Sequence, residues 1–69
     1  MAWVAADYRG EHVFNYVPDM WAGETVEYNY WLPQDRVGAY VIDLPKGSIK
    51  KLIGKELNWR NKPVELKEE

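Results

Sequence analysis

The alternation of apolar and polar residues predicts a series of short β-strands before the first helix. Ala2–Tyr8 and His12–Val17 form two strand candidates, and the connection Arg9-Gly10-Glu11 between them is typical of a hairpin. Glu24–Leu32 alternates over the longest stretch and predicts an antiparallel strand with one face on the core. Val37–Leu44 is apolar on both faces over most of its length, which predicts the central strand of the sheet.

A short amphipathic helix is predicted next. Ile49, Leu52 and Ile53 form one apolar stripe at helical spacing, and Ser48 before them is the expected N-cap. Gly54 can stand inside the helix at a cost of about 1 kcal/mol relative to alanine, or it can end the helix. The alternating pattern that follows favours the end.

Two further strands are predicted after Gly54, around Leu57–Trp59 and Val64–Leu66, with Arg60-Asn61-Lys62 as the turn between them. The order is therefore β-β-β-β-α-β-β. It predicts an α+β fold with a small antiparallel sheet of about four to six short strands and one short helix packed on it. Residues 1–69 are expected to form one domain with a frayed tail at 67–69.

The composition limits the means by which such a fold can be stabilised. A chain of 69 residues buries a thin core, and without cysteine it has neither disulfides nor thiolate metal ligands. Its four tryptophans, five tyrosines and one phenylalanine can supply much of the apolar area. Exposed strand edges at Ala2–Tyr8 or Pro63–Leu66 are a further expectation, since pairing there with a second copy would give a homodimer.

Charge is unevenly distributed along the chain. Residues 1–35 carry six acidic residues and one basic residue, whereas residues 36–69 carry eight basic and five acidic residues. The two halves can close on each other or meet a partner of complementary charge, unless they form ordinary solvated faces. The sequence shows neither an apolar run long enough to span a bilayer nor a signal peptide, so no membrane association and a cytoplasmic location are expected.

Catalytic and metal-binding constellations are weakly represented. A triad of Ser48, His12 and Asp43 can be written, but helix capping already accounts for Ser48, and His12 is expected to be a partly exposed residue at a strand end. One histidine with carboxylates such as Asp7 and Glu11 is a weak metal signal. The expectation is a protein that is not an enzyme and that has no cofactor and no metal.

The surplus of aromatic residues points to a binding surface. Trp21, in a predicted loop, and Trp31, on the polar face of its strand, are the candidates for exposure, and exposed aromatics with arginine are typical of protein interfaces. The expected function is a small non-enzymatic protein-binding module, an inhibitor, adaptor or small subunit, of the kind found among phage and mobile-element accessory proteins that act on a host factor. Its predicted partner-binding residues are Trp21, Trp31, Tyr28, Tyr30, Glu24, Glu27 and Arg36.

A nucleic-acid-binding protein is the alternative. Residues 45–62 hold six basic residues and one acidic residue, and an aromatic residue among them could stack on bases. The start of the predicted helix could also hold an anion. The residues of this alternative nucleic-acid or anion site are Lys46, Ser48, Lys50, Lys51, Lys55, Trp59 and Arg60.

Overall fold

The computed structural model describes residues 2–67 and confirms the α+β class, with an antiparallel sheet and one short helix. Its main sheet has four strands in the order β5-β2-β1-β6, and a second sheet pairs β3 with β4. The elements are β1 (Ala2–Asp7), β2 (Gly10–Phe14), β3 (Asp19–Trp21), a 3₁₀ turn (Val26–Tyr28), β4 (Tyr30–Leu32), β5 (Val41–Leu44), α1 (Ser48–Ile53) and β6 (Val64–Leu66). Of the predicted frayed tail, Glu68 and Glu69 lie outside the described residues.

The hairpin predicted at the start of the chain is confirmed, with a tighter turn than expected. Asp7 pairs with Gly10, so that Tyr8 and Arg9 alone form the loop. Gly10 has a φ of 121°, which an L side chain rarely adopts, and this glycine lets the chain reverse in two residues.

The main sheet buries a different set of residues on each face. On one face, Val4 and Ala6 of β1 pack with Ile49 of α1, and Val13, Leu44, Ile53, Leu57, Val64 and Leu66 surround them. On the other face, Ala5 and Phe14 pack with Trp31 of β4. The helix and the small sheet therefore cover opposite faces of the main sheet, because neighbouring strand residues point to opposite sides.

The long strand predicted over Glu24–Leu32 is wrong. Its first part is the 3₁₀ turn, in which the Tyr28 N–H donates to the Thr25 carbonyl at 3.0 Å, and only Tyr30–Leu32 is a strand. The strand that pairs with it is Asp19–Trp21, where the sequence predicts a turn and a loop. The side chains of Val26 and Tyr28, which the alternation predicts on the core face, are exposed to solvent.

The predicted central strand is also wrong. Only Val41–Leu44 of that stretch is a strand, and it lies at the edge of the sheet with β2 on one side. The interior strands are β1 and β2, so Ala2–Tyr8 is not an edge; the other edge is β6. β6 pairs with β1, so the predicted hairpin between Leu57–Trp59 and Val64–Leu66 does not form.

The predicted end of the helix is confirmed, whereas the predicted start is not. Gly54 has a φ of 81° and its N–H donates to the Lys50 carbonyl, as expected for a helix-ending glycine. The N-cap is Gly47, and the Ser48 hydroxyl donates to the Pro45 carbonyl. The carboxylate of Glu11 on β2 instead accepts from the N–H groups of Gly47 and Ile49, at 2.6 and 2.7 Å. A distant strand therefore caps this helix.

Candidate binding cleft

A buried carboxylate connects the two sheets. Asp7, at the end of β1, accepts a hydrogen bond from the Trp31 N–H at 2.9 Å. Arg9, in the hairpin loop, donates from Nη2 to Asp7 Oδ2 at 2.9 Å and to the Trp31 carbonyl at 2.7 Å. The Asp7–Arg9 pair thus bonds both backbone groups of Trp31, as a neighbouring strand would do. This arrangement attaches β4 to the hairpin.

The surroundings of Asp7 stabilise its charged form. Burial by itself would raise the pKa of the Asp7 carboxyl, but hydrogen bonds from Arg9, from the Trp31 N–H and from His12 outweigh burial and hold that pKa below its ordinary value of 3.8. The hydrogen bond to Asp7 likewise raises the pKa of Arg9, against the opposing effect of burial. The pair is therefore ionic at neutral pH.

His12 lies between two carboxylates. Its Nε2 is 3.1 Å from Asp7 Oδ1, and its Nδ1 is 2.8 Å from Asp43 Oδ1 on β5. An imidazolium donates from both nitrogens, whereas a neutral imidazole donates from one. The side chain is buried, with 5% exposure, so the prediction of a partly exposed strand-end residue is wrong. The histidine and the two aspartates form a row across three strands of the main sheet.

The structure does not assemble the candidate catalytic triad. His12 contacts Asp43, but it points to the face that the small sheet covers, whereas Ser48 begins the helix on the opposite face. Glu11 is turned to the helix face as well, so it does not join Asp7 and His12 as a metal ligand. Within residues 2–67, no group of three or more metal-ligating side chains could hold an ion.

Three tyrosines surround a cleft of about 410 Å³ on the side of the small sheet. Tyr8 comes from the hairpin loop, Tyr28 from the 3₁₀ turn and Tyr30 from β4, and Gly23 and Glu24 complete the lining. We call these five residues the tyrosine cleft. The Tyr8 and Tyr28 rings meet edge to face, with centroids 5.3 Å apart and planes 78° apart. Two of the tyrosines that line the cleft therefore pack against each other at nearly a right angle.

The shape of the cleft depends on Gly23. Its N–H donates to Asn29 Oδ1 at 2.9 Å, which closes the loop from residue 23 to residue 29. A Cβ on Gly23 would overlap the backbone carbonyl of Tyr28. The absence of a side chain at this position lets the chain approach Tyr28 and hold its ring against Tyr8.

A guanidinium group already contacts one of these rings. Arg9 lies 5.1 Å from the centroid of Tyr30, which is within the range of a cation–π contact. The same guanidinium is bound to Asp7, so Tyr30 is connected to the charged network through Arg9. Within residues 2–67, Arg9 does not line the cleft, and Glu24 is the one charged side chain that does.

The structure brings together part of the predicted partner-binding set. Tyr28, Tyr30 and Glu24 line the cleft, and Trp21 is paired with Tyr30 across the small sheet, which places the two side chains on the same face. The predicted exposure of Trp21 is confirmed, at 54%. Glu27 is exposed within the 3₁₀ turn.

Two residues of that set lie elsewhere. Trp31 is 8% exposed and packs on Ala5 and Phe14, so its predicted exposure is wrong. The face of β4 that looked polar is turned to the main sheet because the Asp7–Arg9 pair binds the Trp31 backbone there. Arg36 stacks on Tyr16, 4.0 Å from the ring centroid, and is not part of the cleft.

The basic residues lie on the helix side of the molecule. Lys46, Lys50, Lys51, Lys55 and Arg60 are all exposed. Arg60 stacks on Trp59, 4.9 Å from the ring centroid. The amides that an anion would need at the helix start, those of Gly47 and Ile49, are bonded to Glu11, and the Ser48 hydroxyl is bonded to Pro45.

The sequence reasoning missed Tyr8 and the network of Asp7 and Arg9. The signal that could have found them is the pair Asp7 and Gly10 around a two-residue loop, which places Tyr8 and Arg9 at the hairpin tip. The contacts of these two residues with the 3₁₀ turn and β4 span twenty or more positions of the chain, and no local pattern encodes them.

Comparisons of the chain with protein-family models, with curated proteins and with solved structures find no match. Among the described residues, every helix is too short or too polar to cross a membrane.

Proposed function

We propose that this chain is a small non-enzymatic protein-binding module, that is, an inhibitor, adaptor or small subunit. It binds to a basic surface of another protein in the cytoplasm. The observation that carries the proposal is the tyrosine cleft with Trp21 beside it. Exposed tyrosine and tryptophan on a fixed backbone are the residues most often found at the energetic centre of an interface.

The charge of the chain segment that supplies most of this surface supports a basic partner. The segment from Pro18 to Asp35 contains four acidic residues and no lysine, arginine or histidine. All four, namely Asp19, Glu24, Glu27 and Asp35, are exposed. Complementary charge steers a partner towards such a surface and orients it there.

The way in which several elements of the fold hold this surface in place also supports its role in binding a partner. Tyr8, Tyr28 and Tyr30 belong to three elements, and Asp7 and Arg9 tie the last of these elements to the hairpin. A surface held in place before binding loses less conformational entropy when the partner arrives.

The test is partner capture with the immobilised protein from the lysate of its native host, followed by titration of the purified partner. Trp21→Ala should weaken that affinity by about 30-fold, the loss typical of an aromatic hot spot. The affinity should also fall as salt is added, since opposite charges are screened.

Tyr40→Ala is the matched control, because Tyr40 is equally exposed, at 57%, but lies next to β5 rather than at the cleft. It should leave the affinity unchanged. If Trp21→Ala and Glu24→Gln both bind the captured partner as the parent does, or if the captured partner carries no basic surface, the proposal is wrong.

A nucleic-acid-binding function is the second candidate, favoured by the exposed basic residues on the helix side. Among residues 2–67, Lys46, Lys50, Lys51 and Lys55 form no salt bridge with a carboxylate. This function predicts a complex with single-stranded DNA or RNA at low salt that dissociates steeply as salt rises. It would be excluded if labelled oligonucleotides showed no binding at low salt.

A further inference from the structure

We propose that the tyrosine cleft binds an alkylammonium group, carried to it by a lysine or methyl-lysine side chain of the partner. This inference rests on the proposed function and assigns a ligand class to its central cleft. The negatively polarised face of an aromatic ring attracts a cation, and several rings around one volume form the known type of cage for methylated ammonium groups.

The geometry of the lining residues fits such a group. The perpendicular rings of Tyr8 and Tyr28 form a corner, and Tyr30 lines the same volume from β4. The cleft, at about 410 Å³, is large enough for a trimethylammonium head and part of its alkyl chain.

The electrostatics of the cleft favour a cation over a neutral ligand. Glu24 is the charged residue of the lining, and Glu27 stands three positions further along the chain. Arg9, the nearest guanidinium to Tyr30 that the structure records, is bonded to Asp7, which offsets its charge. A positive group entering the cleft therefore meets the Glu24 side chain and the tyrosine rings that line it.

The fold itself shows that its aromatic rings hold cations. Arg9 lies over Tyr30, Arg36 over Tyr16 and Arg60 over Trp59. The rings of Tyr8 and Tyr28 carry no such contact within the described residues, and the two line the cleft together. The rings of Tyr8 and Tyr28 are therefore the ones that remain available to contact the cationic group of a ligand.

The test uses choline and its neutral isostere 3,3-dimethyl-1-butanol, which differ in having nitrogen or carbon at the centre of the trimethyl head. Each is titrated into the isotopically labelled full chain while the tyrosine ring signals are followed by NMR. Choline should shift the signals of Tyr8, Tyr28 and Tyr30 saturably, with an affinity about 3-fold or more above that of the alcohol. The ring signals of Tyr40 should not move.

Two variants test the assignment. Glu24→Gln keeps the size and shape of the side chain but removes its negative charge. It should weaken choline binding by about 2- to 5-fold. Tyr8→Leu removes one wall and should weaken it at least as much, and an unchanged amide spectrum elsewhere would show that the variant is folded. Peptides with lysine or trimethyl-lysine in a neutral sequence then test whether the cleft binds an ammonium group that is part of a peptide side chain. Both peptides should bind more tightly than the same peptide with norleucine.

Equal binding of choline and the alcohol would overturn this inference, as would equal shifts at Tyr40 and at the cleft. So would choline binding without any preference for the lysine peptides. These results leave the proposed function standing. It fails separately if Trp21→Ala and Glu24→Gln both bind the captured partner as the parent does, or if that partner carries no basic surface.

Discussion

Asp7 and Trp31 lie 24 positions apart and are joined by a backbone-to-carboxylate hydrogen bond of 2.9 Å at the place where the two sheets meet. Arg9 adds a second connection between the sheets, because its guanidinium donates hydrogen bonds to both the Asp7 carboxylate and the Trp31 carbonyl. The ion pair between the buried Asp7 carboxylate and the partly exposed Arg9 guanidinium, together with the packing of Trp31 on Ala5 and Phe14, therefore positions the small sheet, and with it the tyrosine cleft, on the main sheet.

Replacing Asp7 with asparagine should destabilise the protein by about 2 kcal/mol, since it removes the charge from a buried carboxylate that accepts hydrogen bonds from Arg9, His12 and the Trp31 N–H. The free energy of unfolding by urea measures this loss. Asp19→Asn, on the exposed end of β3, is the control and should change that free energy by less than about 0.5 kcal/mol. If both variants unfold at the same urea concentration as the parent, Asp7 does not hold the sheets together.

The lowered pKa of Asp7 predicts an acid-dependent loss of stability. A carboxyl whose pKa is lower in the folded state than in the unfolded state contributes stability above the unfolded value, here 3.8, and loses that contribution as the pH falls through the folded value. The free energy of unfolding should therefore decrease as the pH drops below about 4. Asp7→Asn should flatten the curve in this range. An identical slope for parent and variant would assign the acid sensitivity to other carboxylates.

Local patterns predicted the parts of this fold that local interactions determine. The hairpin of β1 and β2, the stop at Gly54 and the burial of Ile49 and Ile53 on α1 all depend on residues within a few positions of each other. Leu52, the third residue of the predicted apolar stripe, is instead 54% exposed. The alternation from Glu24 to Leu32 led to the wrong prediction of one long strand. In the structure, backbone hydrogen bonds form a 3₁₀ turn in the first part of this segment, and the hydrogen bond from the Gly23 N–H to the Asn29 side chain closes the loop around it. Apolar side chains there form a surface instead of a core.

The candidate site was predictable in composition but not in arrangement. Tyr28, Tyr30 and Glu24 could be chosen as surface aromatics and acids near one another in the chain. Tyr8 joins them only because the hairpin tip approaches the 3₁₀ turn. Trp31 leaves the set because a carboxylate from β1 binds its backbone, and such long-range polar contacts leave no periodic signal.

Glu11 and Ser48 give a clear comparison between the observed and the expected helix cap. Glu11→Gln should destabilise the protein by about 1 kcal/mol, because a neutral amide replaces the carboxylate that accepts from the N–H groups of Gly47 and Ile49. Ser48→Ala should have an effect near zero, since the hydroxyl donates to the nearby Pro45 carbonyl and not to a backbone group of the first helical turn in the described part of the chain. Urea unfolding and the hydrogen exchange of the Ile49 amide measure the difference. The reverse order of effects would restore Ser48 as the cap.

Trp31 and Trp21 should respond to mutation in opposite ways. Trp31→Ala should cost about 3 to 5 kcal/mol of folding free energy, because it opens a cavity against Ala5 and Phe14. Trp31→Phe should cost clearly less than Trp31→Ala, because it retains most of the ring and removes an indole N–H that has no acceptor within residues 2–67. Trp21→Ala should change stability by less than about 0.5 kcal/mol. Thermal and urea unfolding of the three variants measure these values.

Gly23→Ala tests whether the cleft depends on the close approach of the backbone to Tyr28. The added methyl would overlap the Tyr28 carbonyl, so the 3₁₀ turn must shift and the Gly23–Asn29 hydrogen bond must lengthen. We expect a loss of about 1 to 3 kcal/mol in unfolding free energy, as for other overpacked positions, and large changes in the Tyr8 and Tyr28 ring signals by NMR. Ala22→Gly, one residue earlier in the exposed part of the loop, is the control for altered chain flexibility and should leave those signals in place. If Gly23→Ala preserves both the ring signals and the stability, then the position of Tyr28 is set by its contact with Tyr8 and not by the glycine.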